Sequence, residues 1–337
     1  MIVECKAFSI EFLKPAKTSR GEYALKNGWL IGLSENGITG TGEASPLPDL
    51  SVDGREDFEQ VTASWAGENL CAAEWIERAK PYPALQFAIE CAWLDWKQGG
   101  RGLLYPSAFT RGETHIPING LVWMDDIESM YASALLKIQA GFRCLKFKVG
   151  ALDHDAECRL LEKIRKEKNP FSLEIRLDAN GAYTADTAPE ILKDFQRFGI
   201  HSIEQPIRAG QAEAMAKLCA DSALPIALDE ELIGRDPEKV AVLLKTIKPA
   251  FIILKPTLLG GFTAADQWIA AAEKQNIGWW ATSALESNIG LGAIAQWVAT
   301  KKNPLHQGLG TGSLYKTNFE ATTYLQGEKL WYTSAAQ

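Results

Sequence analysis

Two lysines, Lys146 and Lys148, sit inside the short apolar segment CLKFKVG at 144–150. Strand residues two apart share a face, so both ammonium groups meet one environment, and burying even one is costly without a partner. Further along, Asp178, Glu204, Asp229 and Lys255 each stand at the C-terminal end of an apolar run that reads as a strand. They are 26, 25 and 26 residues apart, one strand–helix unit each. In a β/α barrel such residues form a ring at the catalytic mouth. Three carboxylates crowded there repel one another unless a cation neutralises them, and an all-oxygen site selects Mg²⁺ or Mn²⁺. A lysine beside a dication in a partly dry cavity has its ammonium form disfavoured, which suits a general base. Lys255 stands on the opposite arc. Two cationic groups flanking a metal-bound carboxylate suit removal of the proton α to it and stabilisation of the resulting enediolate. Taken singly, each acid has an ordinary explanation as a helix cap, and each lysine as a side chain snorkelling to solvent.

The elements that must position this ring follow from periodicity. In 127–138 the apolar residues Ile127, Met130, Tyr131, Ala134, Leu135 and Ile138 follow helical spacing, and Gly141 ends the run just before CLKFKVG. The strands SLEIRLDAN, IHSIEQPI, LPIALDEEL, AFIILKP and GWWATSALE follow, each after a helical stretch such as DPEKVAVLLKTI, with Asp236 as cap and Pro237 at its first turn. Seven or eight such units fit between about 115 and 315. Apolar strands separated by single helices imply a parallel sheet covered on both faces, either doubly wound or a barrel. No G-x-G-x-x-G follows the first strand, and the unit count favours the barrel.

Upstream, 2–13, 22–33 and 38–43 read as an antiparallel meander, the last two joined by the turn signal SENG. From about 55 to 98 the pattern is helical, with Pro81 or Pro83 near the start of the second helix and Gly99 and Gly100 as its stop. This is a small α+β module. The tail from about 314 is expected to be extended and to return to it.

Composition excludes several classes. The 337 residues carry a net charge of -7 with a pI near 5.3, the wrong balance for a nucleic-acid partner. No segment approaches the roughly 18 apolar residues of a membrane span. The opening MIVECK, with Glu4 and Lys6, does not read as a signal peptide. Six cysteines lie far apart without C-x-x-C pairs, as expected of reduced thiols in the cytoplasm.

Supporting positions are readable too. Arg176 has the inward parity of Asp178; it meets either anionic groups lower in the barrel or a structural partner such as Glu174. Asn180 is either a residue supporting the metal ligands or a turn residue. In ALESNIG, Ser283 lies at a strand end and a helix opens near Ser287, whose free N–H groups suit a carboxylate unless they are merely capped. Lys14, Lys17 and Arg20 fall on an expected loop, solvated or acting as a lid.

The succession KFK, LDAN, IEQP, ALDE and LKP resembles the enolase superfamily, in the subgroup of muconate lactonising enzyme, over nearly the whole chain. The resemblance implies a modified (β/α)7β TIM-type barrel at 111–313 and an α+β capping domain at 1–110, completed by the tail 314–337. It implies Asp178, Glu204 and Asp229 as Mg²⁺ ligands, Lys148 as the base and Lys255 as its partner across the site. GEASPLPDLS, PINGLVWM, IRLDANGAY and GLGTGSLY are most similar to the o-succinylbenzoate synthase family of menaquinone biosynthesis. That family dehydrates an anionic cyclohexadiene carboxylate bearing a hydroxyl and a succinyl chain; Ser283, Glu286, Ser287, Gly310 and Gly312 are then the expected substrate-binding residues. The same residues would serve an N-acylamino acid racemase, a dipeptide epimerase or a muconate-type cycloisomerase. Dipeptide epimerases place a D-x-D pair after the last barrel strand, where this chain has Gly310 and Gly312. A barrel used only for binding would show gaps in the ring, and none is present.

Overall fold

The structure is a computed structural model that describes residues 1–18, 21–236 and 239–333. Strands β1 (Ile2–Thr18), β2 (Gly21–Glu35) and β3 (Ile38–Ala44) form an antiparallel sheet in that order. Asn36 and Gly37 both have positive φ, 54° and 76°, as the tight β2–β3 hairpin requires. Helices α1 (Phe58–Ser64), α2 (Ala72–Ala79) and α3 (Pro83–Lys97) cover one face of the sheet around buried Val3, Ile31, Leu33, Trp65 and Trp75. Pro83 occupies the first turn of α3, where its missing N–H costs nothing. Gly40 and Gly42 lie on one face of β3, and α3 runs directly over them. A Cβ on Gly40 would lie 2.0 Å from the Ala92 carbonyl oxygen, and one on Gly42 2.0 Å from that of Ala88.

After the short strand β4 (Ile116–Pro117), seven parallel strands follow in unbroken order: β5 (Gly120–Val122), β6 (Cys144–Lys148), β7 (Glu174–Asp178), β8 (Ser202–Glu204), β9 (Ile226–Leu228), β10 (Phe251–Leu254) and β11 (Gly278–Ala281). Between them lie α4 (Ile127–Gln139), α5 (His154–Glu167), α6 (Ala188–Gln196), α7 (Ala212–Asp221), α8 (Val240–Ile247), then α9 (Pro256–Leu259) with α10 (Gly261–Glu273); α11 (Asn288–Lys301) follows β11. Parallel bridges Thr282–Gly308 and Ile118–Gln307 close the ring, so 307–308 serves as the eighth stave of a (β/α)7β barrel. Among the described residues no helix is long and apolar enough to cross a membrane.

The two parts are joined through α3. Phe87 packs edge-on against Phe262 of α10 at 5.3 Å, and Glu90 accepts hydrogen bonds from the Phe262 and Thr263 N–H groups at the start of α10.

Three expectations are corrected. Lys14 lies within β1, which continues past a bulge to pair Ala16 with Tyr23; Arg20 falls outside the described residues. Helix α8 begins at Val240 with Lys239 at its N-cap rather than Asp236, and Pro237 lies outside the described residues. The tail returns to the first module only over 314–319, where Phe12 bridges Tyr315, the Lys316 N–H donates to the Glu11 carbonyl and Phe319 packs edge-on against Phe8. Beyond that, β12 (Thr323–Gln326) and β13 (Lys329–Tyr332) form a sheet with β4 at the N-terminal end of the barrel strands. Alternating side chains mark a strand but do not name its partner.

The backbone contact at β3 gives a direct test. Gly42→Ala should destabilise the protein by about 3 kcal/mol, since a methyl group there overpacks a backbone contact. Urea unfolding with an unchanged midpoint would contradict the contact.

Candidate active site

The barrel register places the charged residues. Lys146 pairs with Arg176, Lys148 with Asp178, and Asp178 with Glu204, so these side chains share the inward face of three adjacent strands. Asp229 and Lys255 immediately follow β9 and β10. Asp178, Glu204 and Asp229 are all buried, and one carboxylate oxygen from each lies within 4.8 Å of the others.

Three ammonium groups balance them. Lys146 Nζ lies 2.8 Å from Asp178 Oδ2 and 2.6 Å from Glu204 Oε2. Lys148 Nζ lies 2.7 Å from Asp178 Oδ2 and donates to Asn180 Oδ1 at 2.6 Å; Lys255 Nζ reaches Asp229 Oδ2 at 2.5 Å. Asn180 has a left-handed backbone, φ 45°, and its Nδ2 donates to Glu230 Oε1 at 2.9 Å. It therefore holds Lys148 from one end and Glu230 from the other.

Burial and charge pull these groups in opposite directions. Burial would raise Asp178, but Lys146 and Lys148 hold it well below the usual carboxylate range. Burial pushes Glu204 up to about 8; Lys146 opposes the shift, and Asp178 and Asp229 add to it. Burial works to lower Lys146, yet Asp178 and Glu204 hold it above the ordinary lysine value. Lys255 is likewise raised against its burial, by Asp229 and Glu230.

The donor set fits a hard divalent cation. All ligands are carboxyl oxygens, three carboxyl groups converge, and Glu204 Oε1 is buried with no hydrogen-bond partner among the described residues. An orphaned buried carboxylate oxygen is costly unless something positive meets it.

The pocket above the ring is lined on one side by Lys146, Lys148, Asp178 and Lys255, and on the other by Ser283 and Gly310. Leu47 and Leu50, from the segment after β3, close it from the first module. Other expected residues lie elsewhere. Arg176 is fully buried below the ring, donating to Glu174 Oε1 at 2.6 Å and to the His306 carbonyl at 2.8 Å while stacking on Trp280. The N–H groups near Ser287 are not free: Glu43 of β3 accepts from the Ser287 N–H and the Gly290 N–H, each at 2.9 Å, and from the Ser287 hydroxyl. Glu286 is buried against the Thr257 hydroxyl and the Ala284 N–H. Gly312 lies behind the pocket against Asn288 and Leu291. A helix start read from sequence looks open because the side chain that covers it comes from residue 43.

Glu230 was not singled out from the sequence. It lines the pocket, buried, with Oε2 unpartnered among the described residues and its carboxyl raised by burial and by Asp229. The only signal was the acid run DEE at 229–231.

Residues 130–329 match the family model described as enolase C-terminal domain-like, and residues 17–96 match that of the MenC N-terminal domain. The o-succinylbenzoate synthase of Desulfotalea psychrophila is 44% identical, with 94% of this chain and 95% of that protein covered. The L-Ala-D/L-Glu epimerase of Bacillus subtilis is 25% identical, with 89% and 85% covered. Among solved structures, MenC from Desulfotalea psychrophila superposes with a TM-score of 0.87 at 40% identity, covering 98% of this chain and 99% of that one. Muconate lactonizing enzyme from Pseudomonas fluorescens, complexed with muconolactone, shares the fold at a TM-score of 0.81 and 23% identity, covering 99% and 94%.

The raised Glu204 has a measurable consequence. Its folded value of about 8 exceeds the unfolded carboxylate's, about 4.3. That stabilising contribution is complete below about pH 4 and is lost as pH rises through about 8. Chelated protein should therefore lose stability across this window. Cation binding at pH 7 should displace about one proton, read by calorimetry in buffers of different protonation enthalpy. Glu204→Gln should abolish the release; proton-neutral binding by the wild type would contradict the assignment.

Proposed function

The chain belongs to the o-succinylbenzoate synthase family of the enolase superfamily, and on that premise we propose that Lys148 transfers the protons of a metal-dependent syn dehydration while Lys255 acts as a fixed cation. The reaction is that of the family. This chain is a lyase of small-molecule metabolism that converts 2-succinyl-6-hydroxy-2,4-cyclohexadiene-1-carboxylate to o-succinylbenzoate in menaquinone biosynthesis. The observation that carries the division of roles is the placement of Lys148 on β6 and Lys255 after β10, with Asp178, Glu204 and Asp229 at the ends of the strands between them.

Superfamily members are metal-dependent, and the acidic cluster can hold a metal; we assign it to Mg²⁺, with Mn²⁺ as the alternative, from the hard-oxygen donor set. Asp178, Glu204 and Asp229 would hold the ion, and when bound it would supply a Lewis acid for a substrate carboxylate. Lys148 must first release the ammonium proton it holds against Asp178; as the free amine it then takes the proton from C1, the carbon α to the carboxylate. The C–H electron pair passes into the carboxylate as an enediolate, whose charge meets the field of the Lys255 ammonium. The Lys148 ammonium then gives its proton to the hydroxyl leaving C6 on the same face, and water departs as the ring becomes aromatic. Asn180, bonded to Lys148 Nζ, holds that amine in place between the two steps.

Residues 1–110 as capping domain and 111–313 as barrel is likewise our reading, resting on the separate sheets of β1–β3 and β5–β11. All six cysteines are free, which agrees with the cytoplasm as its compartment.

Lys148→Ala should lower turnover by about 10³-fold or more and abolish exchange of the substrate α-proton with deuterated solvent. Exchange that survives in this variant but vanishes in Lys255→Ala would reverse the roles. Lys255→Arg keeps a charge that cannot be given up. It should retain measurable dehydration of the cyclohexadiene while losing any N-acylamino acid racemisation. A wild type that racemises acylamino acids efficiently and leaves the cyclohexadiene untouched would overturn the reading.

A further inference from the structure

The pocket wall divides into two arcs. From β6 round to the end of β10 it is charged, carrying Lys146, Lys148, Asp178 and Lys255. The remaining arc, formed by the end of β11, the stave at 307–308 and the start of β5, is lined by Asn119, Leu121, Thr282, Ser283, Gly308 and Gly310, with no ionisable side chain among them. Resting on the dehydration reading above, the ring carboxylate of the substrate belongs to the charged arc. The succinyl chain on the adjacent ring carbon must then extend along the neutral one.

Two polar groups on the neutral arc are unspent. Asn119 is only 4% exposed, and its Oδ1 is buried with no hydrogen-bond partner among the described residues. The Thr282 hydroxyl is buried and equally unpartnered. Buried polar groups are nearly always bonded, so each exception calls for a reason. By contrast, the hydroxyls of Ser283 and Thr311 satisfy each other at 2.7 Å, and Ser283 Oγ also accepts from the Leu285 N–H. The two orphans flank one short segment: the Asn119 N–H donates to the Gln307 carbonyl at 3.0 Å, and Thr282 bridges Gly308. Glycine is needed there, because a Cβ on residue 308 would lie 2.5 Å from Thr282 Oγ1.

We propose that Asn119, assisted by Thr282, recognises the ketone of the succinyl chain and so sets specificity for an acyl substituent beside the ring carboxylate. A ketone oxygen accepts hydrogen bonds and carries no charge. Oδ1 is an acceptor and cannot bond a ketone oxygen, so recognition requires the Asn119 carboxamide to turn over and put Nδ2 in the unpartnered position; with the Thr282 hydroxyl it then supplies neutral donors of matching kind. The carboxylate at the far end of the chain would draw on cationic or several backbone donors and is not assigned to these two side chains. Neither side chain touches the proton being transferred, so both act on binding and discrimination.

The test uses the Mg²⁺-loaded protein and two ligands that differ only at the ketone: o-succinylbenzoate and 2-(3-carboxypropyl)benzoate, in which a methylene replaces it. Asn119→Ala should weaken o-succinylbenzoate by about tenfold, the loss of one buried hydrogen bond, and leave the methylene ligand within about twofold of its wild-type affinity. Thr282→Val, which keeps the shape and removes the hydroxyl, should show the same selectivity with a smaller loss, and it carries the test should Asn119→Ala fold poorly. Equal losses for the two ligands, or no loss for either, would overturn the assignment of the ketone to these residues. A wild type that binds neither ligand would instead overturn the dehydration reading on which it rests.

Discussion

Three buried carboxylates within 4.8 Å of one another cannot coexist as anions without positive charge beside them. At ~4 Å and an effective dielectric of ~20, each like-charged pair is unfavourable by about 4 kcal/mol. Three such pairs rival the whole stability of a typical domain. The structure answers with Lys146, Lys148 and Lys255, each within hydrogen-bond distance of one or two of these carboxylates. The unpartnered Glu204 Oε1 and the raised Glu204 show that the lysines alone do not discharge the cluster. A metal ion held by the cluster would complete it. Lys148 and Lys255 stand on either side of the three carboxylates, so the charges that balance the cluster also line the pocket.

The barrel supplies the geometry that this balance needs. Parallel strands in register bring Lys148, Asp178 and Glu204 side by side on one inward row. The first module then completes the site in two ways. Leu47 and Leu50 close the pocket above the ring. Behind it, Glu43 reaches from β3 to the start of α11, and Lys26 donates to the carbonyls of Ser45 and Ala284, one on each side of the junction. Burial lowers Lys26 to about 8, with Glu286 and Glu43 opposing the shift. This polar seam lies directly behind the pocket residues Ser283, Ala284 and Leu285.

Much of this was legible in the sequence because local rules carried it. The spacing of Asp178, Glu204, Asp229 and Lys255 by one β/α unit each converts sequence distance into proximity once the barrel is granted, and the periodicity of 127–138 before CLKFKVG announces its first unit. SENG was legible as a hairpin because only residues tolerant of positive φ fill such a turn. The remainder depended on long-range partners that no local pattern names. The start of α11 looked like an anion site until Glu43 was found occupying it. The tail looked like part of the first module, yet its last strand, β13, pairs with Ile116–Pro117. Arg176 has the parity of a site residue, and only the depth of its strand position sets it against Glu174 and Trp280. Glu230 was hidden in an acid run, since nothing local distinguishes the acid facing the pocket from Glu231, which turns to the Gly210 N–H and Arg235.

The central claim is that ammonium groups and a divalent cation share one set of carboxylates. The most direct measurement is the Mg²⁺ dissociation constant of Lys148→Met beside that of the wild type, taken without substrate. Removing an ammonium that competes for Asp178 should tighten Mg²⁺ binding several-fold, even though the variant cannot turn over. Unchanged or weaker binding in the variant would contradict the claim, because the lysine and the cation would then not be held by the same charges.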